Sequence, residues 1–107
     1  MKAKKLKEIE EKIREIKMQL MEIHRMRPGS LSLQYKNPKE KKGGYYQISY
    51  TYKMRSRTEY VRPEFVDEIR EQIVVYKQFR KLIDKWIEWS IEHSRIKMKQ
   101  PTERKEE

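Results

Sequence analysis

The chain contains no cysteine. That absence excludes disulfides, thiolate nucleophiles and every zinc site built on sulfur. Histidine is almost as scarce: His24 and His93 stand far apart and form no ligand cluster, so no metal and no cofactor is expected. Glycine occurs only three times, and the Gly43-Gly44 pair has neither Walker A nor GxGxxG spacing, which leaves no phosphate-cradling loop. No apolar run approaches the roughly 20 residues that span a bilayer, and the start MKAKKLKEIEEK lacks the apolar core of a signal peptide. No membrane partner and a cytoplasmic location are therefore expected. No nucleophile sits beside a base either. The nearest reactive grouping, Glu59 with Arg57 and Tyr60, suits an ion pair on a sheet equally well, so no catalytic residue is assigned and no enzyme is expected.

Apolar residues are sparse too, at 36% of 107 residues against 41% charged, with a mean hydropathy of -1.15. A chain of this length fits one domain with a thin core. A single α-β-β-β-α domain over residues 1–94 is expected, followed by a basic, frayed tail over 95–107.

What the chain does have is positive charge, +10 in all. Residues 1–30 carry nine basic and five acidic side chains, and residues 31–63 carry eight and two. Residues 64–94 are slightly acidic, with five and seven, and the remainder carries five and three. The excess lies on the first helix and the strands. An asymmetric basic surface concentrates polyanions and is the electrostatic footprint of a nucleic-acid binder. The same charge also suits a plain solvated surface.

In chain order, Leu6, Ile9, Ile13, Ile16, Leu20 and Ile23 recur at alternating three- and four-residue steps and predict one amphipathic helix from about Lys2 to Arg27. Two partners are open to this seam: the protein's own second helix, in the favoured antiparallel pair, or a second copy of the chain. Met18, Met21 and Met26 are expected to widen the apolar face near the helix end. Arg27-Pro28-Gly29-Ser30 ends the helix, since proline disfavours helical geometry at the residue before it. Leu31-Ser32-Leu33-Gln34-Tyr35 then alternates as a strand with its apolar members inward. A lysine-rich loop runs from Lys36 to Gly44.

From Tyr45 the alternation puts Tyr46, Ile48, Tyr50, Tyr52 and Met54 on one face, and Tyr45, Gln47, Ser49, Thr51, Lys53 and Arg55 on the other. A turn near Met54 to Ser56 returns the chain as a third antiparallel strand through Arg57 and Arg62. The aromatic face is expected to build the core, although exposed tyrosines would also stack on single-stranded bases. Pro63, Glu64, Asp67 and Glu68 start a second helix, which continues to about His93. The predicted fold is α+β: a long N-terminal helix, a three-stranded antiparallel sheet, and a long C-terminal helix paired antiparallel with the first. In shape it is similar to the small sheet-based DNA-binding domains of some integrases and plant regulators.

Two functions follow as expectations. In the first, a small basic module binds DNA or RNA by contacting phosphates through a basic sheet face and the lysine loop. Its candidate residues are Lys39, Lys41, Lys42, Gln47, Lys53, Arg55, Arg57 and Arg62, with Arg25 and Arg27 at the end of the first helix. In the alternative the helices are a coiled-coil interaction or homodimerisation module with no nucleic-acid role. Its interface would use Leu6, Ile9, Ile13, Ile16, Leu20, Ile23, Trp86 and Trp89.

The order Arg27-Pro28-Gly29-Ser30-Leu31, Gly43-Gly44-Tyr45-Tyr46 and Arg57-Thr58-Glu59-Tyr60-Val61 resembles an uncharacterised prokaryotic domain family. In that family a pattern like R-x-G-S-L precedes a Cys-rich loop, then H-G-P-Y-Y and a K-x-R-S-x-Y-V run. The likeness covers roughly residues 25–80. Lys36 to Lys42 replace the Cys-rich loop here, and Gly43-Gly44 stand in place of His-Gly-Pro. Any metal-binding role of those cysteines is thus missing from this chain, and the resemblance implies no catalytic residue.

Overall fold

The structure, a computed structural model, describes residues 2–100. The order is α1 (Lys2–Met21), β1 (Ser30–Asn37), β2 (Lys42–Tyr52), β3 (Arg55–Val61), a 3-10 turn (Pro63–Phe65) and α2 (Val66–Met98). The chain divides into two compact units. One holds α1 and α2 from Phe79 onward; the other is Ile23–Gln78.

In the first unit the heptad seam does what its spacing predicts. Ile9 and Ile16 are buried, and Leu6, Ile13 and Leu20 are half-buried beside them. Glu10 meets His93 at 3.0 Å, and the Lys17 ammonium lies 5.4 Å from the centre of the Trp86 ring. Advancing along α1 therefore means retreating along α2, so the pair is antiparallel and intrachain. Trp86 and Trp89 are half-buried in this unit.

The α1 helix stops at Met21 instead of Arg27, its last turn tightened by a bond from the Glu22 amide to the Gln19 carbonyl at 3.1 Å. The segment that follows belongs to the sheet unit, where the Arg27 amide donates to the Gln72 carbonyl at 3.2 Å. Ile23 consequently leaves the seam. Met18 and Met21, on the last turn of α1, and Met26, beyond its end, are exposed and do not join the core.

In the second unit the strands lie in the order β1-β2-β3, all antiparallel. One face carries Ile48 and Val61, which pack with Val66 and Ile73 of α2; Leu31, Tyr46, Tyr50 and Ile69 flank this cluster. Each buried isoleucine or valine stabilises the fold by about 1.5–3 kcal/mol. Leu31 thus points inward as predicted, while Leu33, paired with Tyr46, is exposed. Pro63 opens the 3-10 turn that leads into α2, and Asp67 and Glu68 fall in the first turn of the helix, where the dipole favours acids.

The β1–β2 connection is shorter than its composition suggests. Strand geometry extends to Asn37 and resumes at Lys42, leaving a turn of Pro38 to Lys41 whose Glu40 amide donates to the Asn37 side chain at 3.3 Å. At the other end α2 passes His93 and runs to Met98, since no proline or glycine interrupts it before Pro101. Of the expected frayed tail, 95–98 are helical and 101–107 lie outside the described residues.

Candidate functional site

The sheet has one covered face and one open face, and the pairing register assigns every side chain. Tyr52 pairs with Arg55, Tyr50 with Arg57, Ile48 with Glu59 and Tyr46 with Val61. Directly opposed residues share a face, so Arg55 and Arg57 lie on the covered, aromatic side and not beside Gln47. The expected single basic face is thus not formed. The cause is the turn: it is the two-residue pair Lys53-Met54, with φ of 51° and 64°, and not a longer loop through Ser56. Two successive left-handed residues are the signature of a type I′ hairpin, whose twist matches the strands.

The open face is instead polar and uncharged along most of its length. Its rows are Ser30, Ser49 and Thr58, then Ser32, Gln47 and Tyr60, with Gln34 beside Tyr45 and Thr51 beside Ser56. Hydroxyls pair across the strands: Ser49 with Thr58 at 3.2 Å and Thr51 with Ser56 at 3.1 Å. The Gln34 amide donates to the Ser32 hydroxyl at 3.1 Å. Such a face offers donors and acceptors without a fixed charge.

Charge collects at the two ends of the sheet. At the β1–β2 end stand Lys36, Lys39, Lys41 and Lys42, with Glu40 engaging Lys42 at 3.4 Å. At the β2–β3 end stand Lys53, in the turn, then Arg55 and Arg57. The eleven residues of β2 separate the ends by about 35 Å. Arg62, just beyond β3, is held by Glu64 at 2.6 Å and lies over the Phe65 ring. That hydrogen bond pulls the Glu64 carboxyl below its ordinary pKa.

Arg25 and Arg27 are drawn into unit contacts. Arg25 faces Glu68 at 3.8 Å. Arg27 stacks over the Tyr50 ring, 4.7 Å from its centre, and reaches Glu59 at 3.9 Å. The Tyr50 hydroxyl donates to the other oxygen of Glu59 at 2.8 Å, and this bond raises the Tyr50 pKa. Glu59 therefore clusters with Arg27 and Tyr50, and not with Tyr60, which the register sets on the opposite face. Lys36, Tyr45 and Tyr60 escaped the sequence-based choice of site residues. Their shared position on the open face follows only from the register, although the alternation had already set Tyr45 with Gln47.

Among the described residues no group of three or more His, Cys, Asp or Glu is placed to hold a metal, and no helix is long and apolar enough to cross a membrane. The helix pair and the half-covered three-stranded sheet define a small, basic α+β protein. Residues 6–71 match the family described as a domain of unknown function, DUF6788. The match takes in more than half of the chain, and the protein belongs to that family. It spans α1, the whole sheet and the start of α2, in agreement with the sequence resemblance to an uncharacterised family. No curated protein and no solved structure matches the chain.

Proposed function

We propose that the protein is a small cytoplasmic nucleic-acid-binding module, not an enzyme, that sets the open face of its sheet and its lysine turn against a DNA or RNA backbone. One observation carries this reading: residues 31–63 hold eight basic and two acidic side chains, and the sheet puts lysines at both ends of an uncharged, hydrogen-bonding face. Lysine ends contact phosphates and add affinity without sequence information. The Ser, Thr and Gln rows between them are of the kind that contacts base edges or sugar hydroxyls. In the prokaryotic family pattern that the sequence resembles, a Cys-rich loop stands where Lys36 to Lys42 stand here, and the lysine turn takes over that position as a polyanion contact.

An electrophoretic binding screen against duplex DNA and structured RNA at two salt concentrations tests the proposal. With about five phosphate contacts, a fourfold rise in salt weakens binding about 10²–10³-fold. Reversing Lys39, Lys41 and Lys42 to Glu weakens binding far more than three reversals on α2. Absence of binding to both polymers at low salt, or equal effects of the two triple reversals, refutes it.

A second function is favoured by one observation in the helix pair. Ile83, Trp86, Ile87, Ile91 and Met98 line a cleft of about 570 Å³ on α2, with Ile87, Ile91 and Met98 exposed. Among the described residues of the two-helix unit only Ile9 and Ile16 are fully buried, and Ile87, Ile91 and Met98 stay open to water. A second copy, adding two helices, covers it in the homodimer alternative. A strict monomer in sedimentation at high concentration contradicts that alternative.

A further inference from the structure

We infer that the β1–β2 end of the open face is a site for one unpaired nucleotide, whose base stacks on Tyr60 and Tyr45 and whose phosphate meets Lys36. The inference rests on the nucleic-acid reading above and deepens it, because it assigns single-stranded character to the ligand at this point. A cleft of about 480 Å³ opens here, lined by Lys36, Gly43, Gly44, Tyr45 and Tyr60.

Three features suit an unpaired base. The rings of Tyr45 and Tyr60 stand 6.4 Å apart at 46°, so neither ring stacks flat on the other, and Tyr60 is 61% exposed. A flat aromatic surface bare to water is what a base needs for stacking. Register sets Gln47 directly opposite Tyr60, which brings an amide donor and acceptor to the edge of that surface.

Lys36 supplies the charge, and glycine explains its placement. A Cβ on Gly43 would lie 3.0 Å from the Lys36 Cβ and 3.3 Å from its Cγ. The lysine stem therefore runs across the bare backbone of Gly43, which keeps the floor of the cleft low. Among the described residues no carboxylate lies within ion-pair reach of Lys36, unlike Lys42 with its Glu40. Tyrosines in a purely structural role would not need an open cleft and an unpaired cation beside them. An anionic ligand with an aromatic ring meets all of these features at once.

Binding of a short single-stranded oligonucleotide carrying one 2-aminopurine, followed by its fluorescence, tests the inference. A duplex of the same sequence and a strand with an abasic position in place of the 2-aminopurine serve as comparisons. Wild type quenches the probe, and Tyr60→Ala weakens single-strand binding about tenfold or more, while Tyr60→Phe, which keeps the ring, binds like wild type. Lys36→Met, which keeps the stem, lowers the salt slope by about 0.7. Equal affinity for the abasic strand, or a Tyr60→Ala variant that is folded by circular dichroism and binds single strands as wild type does, overturns the inference. If salt-dependent duplex binding persists in that case, only this site fails. Absence of binding to every polymer removes the underlying function as well.

Discussion

Met54→Gly should stabilise the protein, although it deletes a side chain. The β2–β3 turn places Lys53 and Met54 at φ of 51° and 64°, and neither residue is glycine or asparagine. Left-handed geometry costs an L-residue roughly 1–2 kcal/mol, because Cβ crowds the following carbonyl oxygen. Met54 is 97% exposed, so removing it forfeits no packing. Glycine returns about 0.5–1 kcal/mol of the gain through the greater freedom of the unfolded chain. The net gain is about 0.5–1 kcal/mol, or a rise in Tm of roughly 2–8 °C.

Lys53→Asn added to it brings little more. Asparagine tolerates the left-handed region, but the Lys53 ammonium lies 5.4 Å from the Tyr52 ring centre, and that cation contact is lost. Urea titration by far-UV circular dichroism should show a higher midpoint with an unchanged slope. Amide exchange in β2 and β3 supplies the local measure. Met54→Ala is the control: alanine keeps the Cβ and should not stabilise. Equal stabilisation by alanine and glycine, or none by glycine, refutes the turn geometry as the source of the strain.

Two further outcomes follow from the sheet unit. Gly29→Ala should destabilise by about 2–4 kcal/mol, from overpacking and backbone strain together: Gly29 has φ of 149°, and a Cβ there would lie 2.6 Å from Cδ1 of the buried Ile48. A thermal melt matching wild type would contradict it. The raised Tyr50 pKa makes stability fall in alkali, because the folded state holds the phenolic proton more tightly than the unfolded state does. The contribution is whole below the ordinary tyrosine value of about 10 and is lost as pH rises through the folded value. Tyr50→Phe should flatten that part of the pH–stability curve, and a curve of unchanged slope above pH ~10 would rule out the Tyr50–Glu59 bond as its origin.

Much of the fold was legible because its signals are periodic and local. The alternating steps from Leu6 to Leu20 mark a helix whose partner helix faces it antiparallel, and Pro63 with Asp67 and Glu68 marks the entry to α2. Alternation through Tyr46, Ile48 and Tyr50 puts these residues on the packed side of β2. The end of α1 was not legible, since no glycine or proline lies between Met21 and Arg27, and the break is made by contacts to Gln72 and Glu68 on α2. The candidate site divided in the same way: the lysines of the β1–β2 turn stand together as expected, whereas Arg55 and Arg57 changed faces.

By itself the sequence determined the number and order of elements, the positive bias of residues 31–63 and the buried side of β2. These depend on the spacing of residues along one strand or helix. Only the tertiary structure decided which residues stand across the open face. Pairing has a period of two, so moving a turn by one residue transfers a whole strand's side chains to the opposite face. Lys53-Met54 carries none of the usual turn residues to announce where that turn falls.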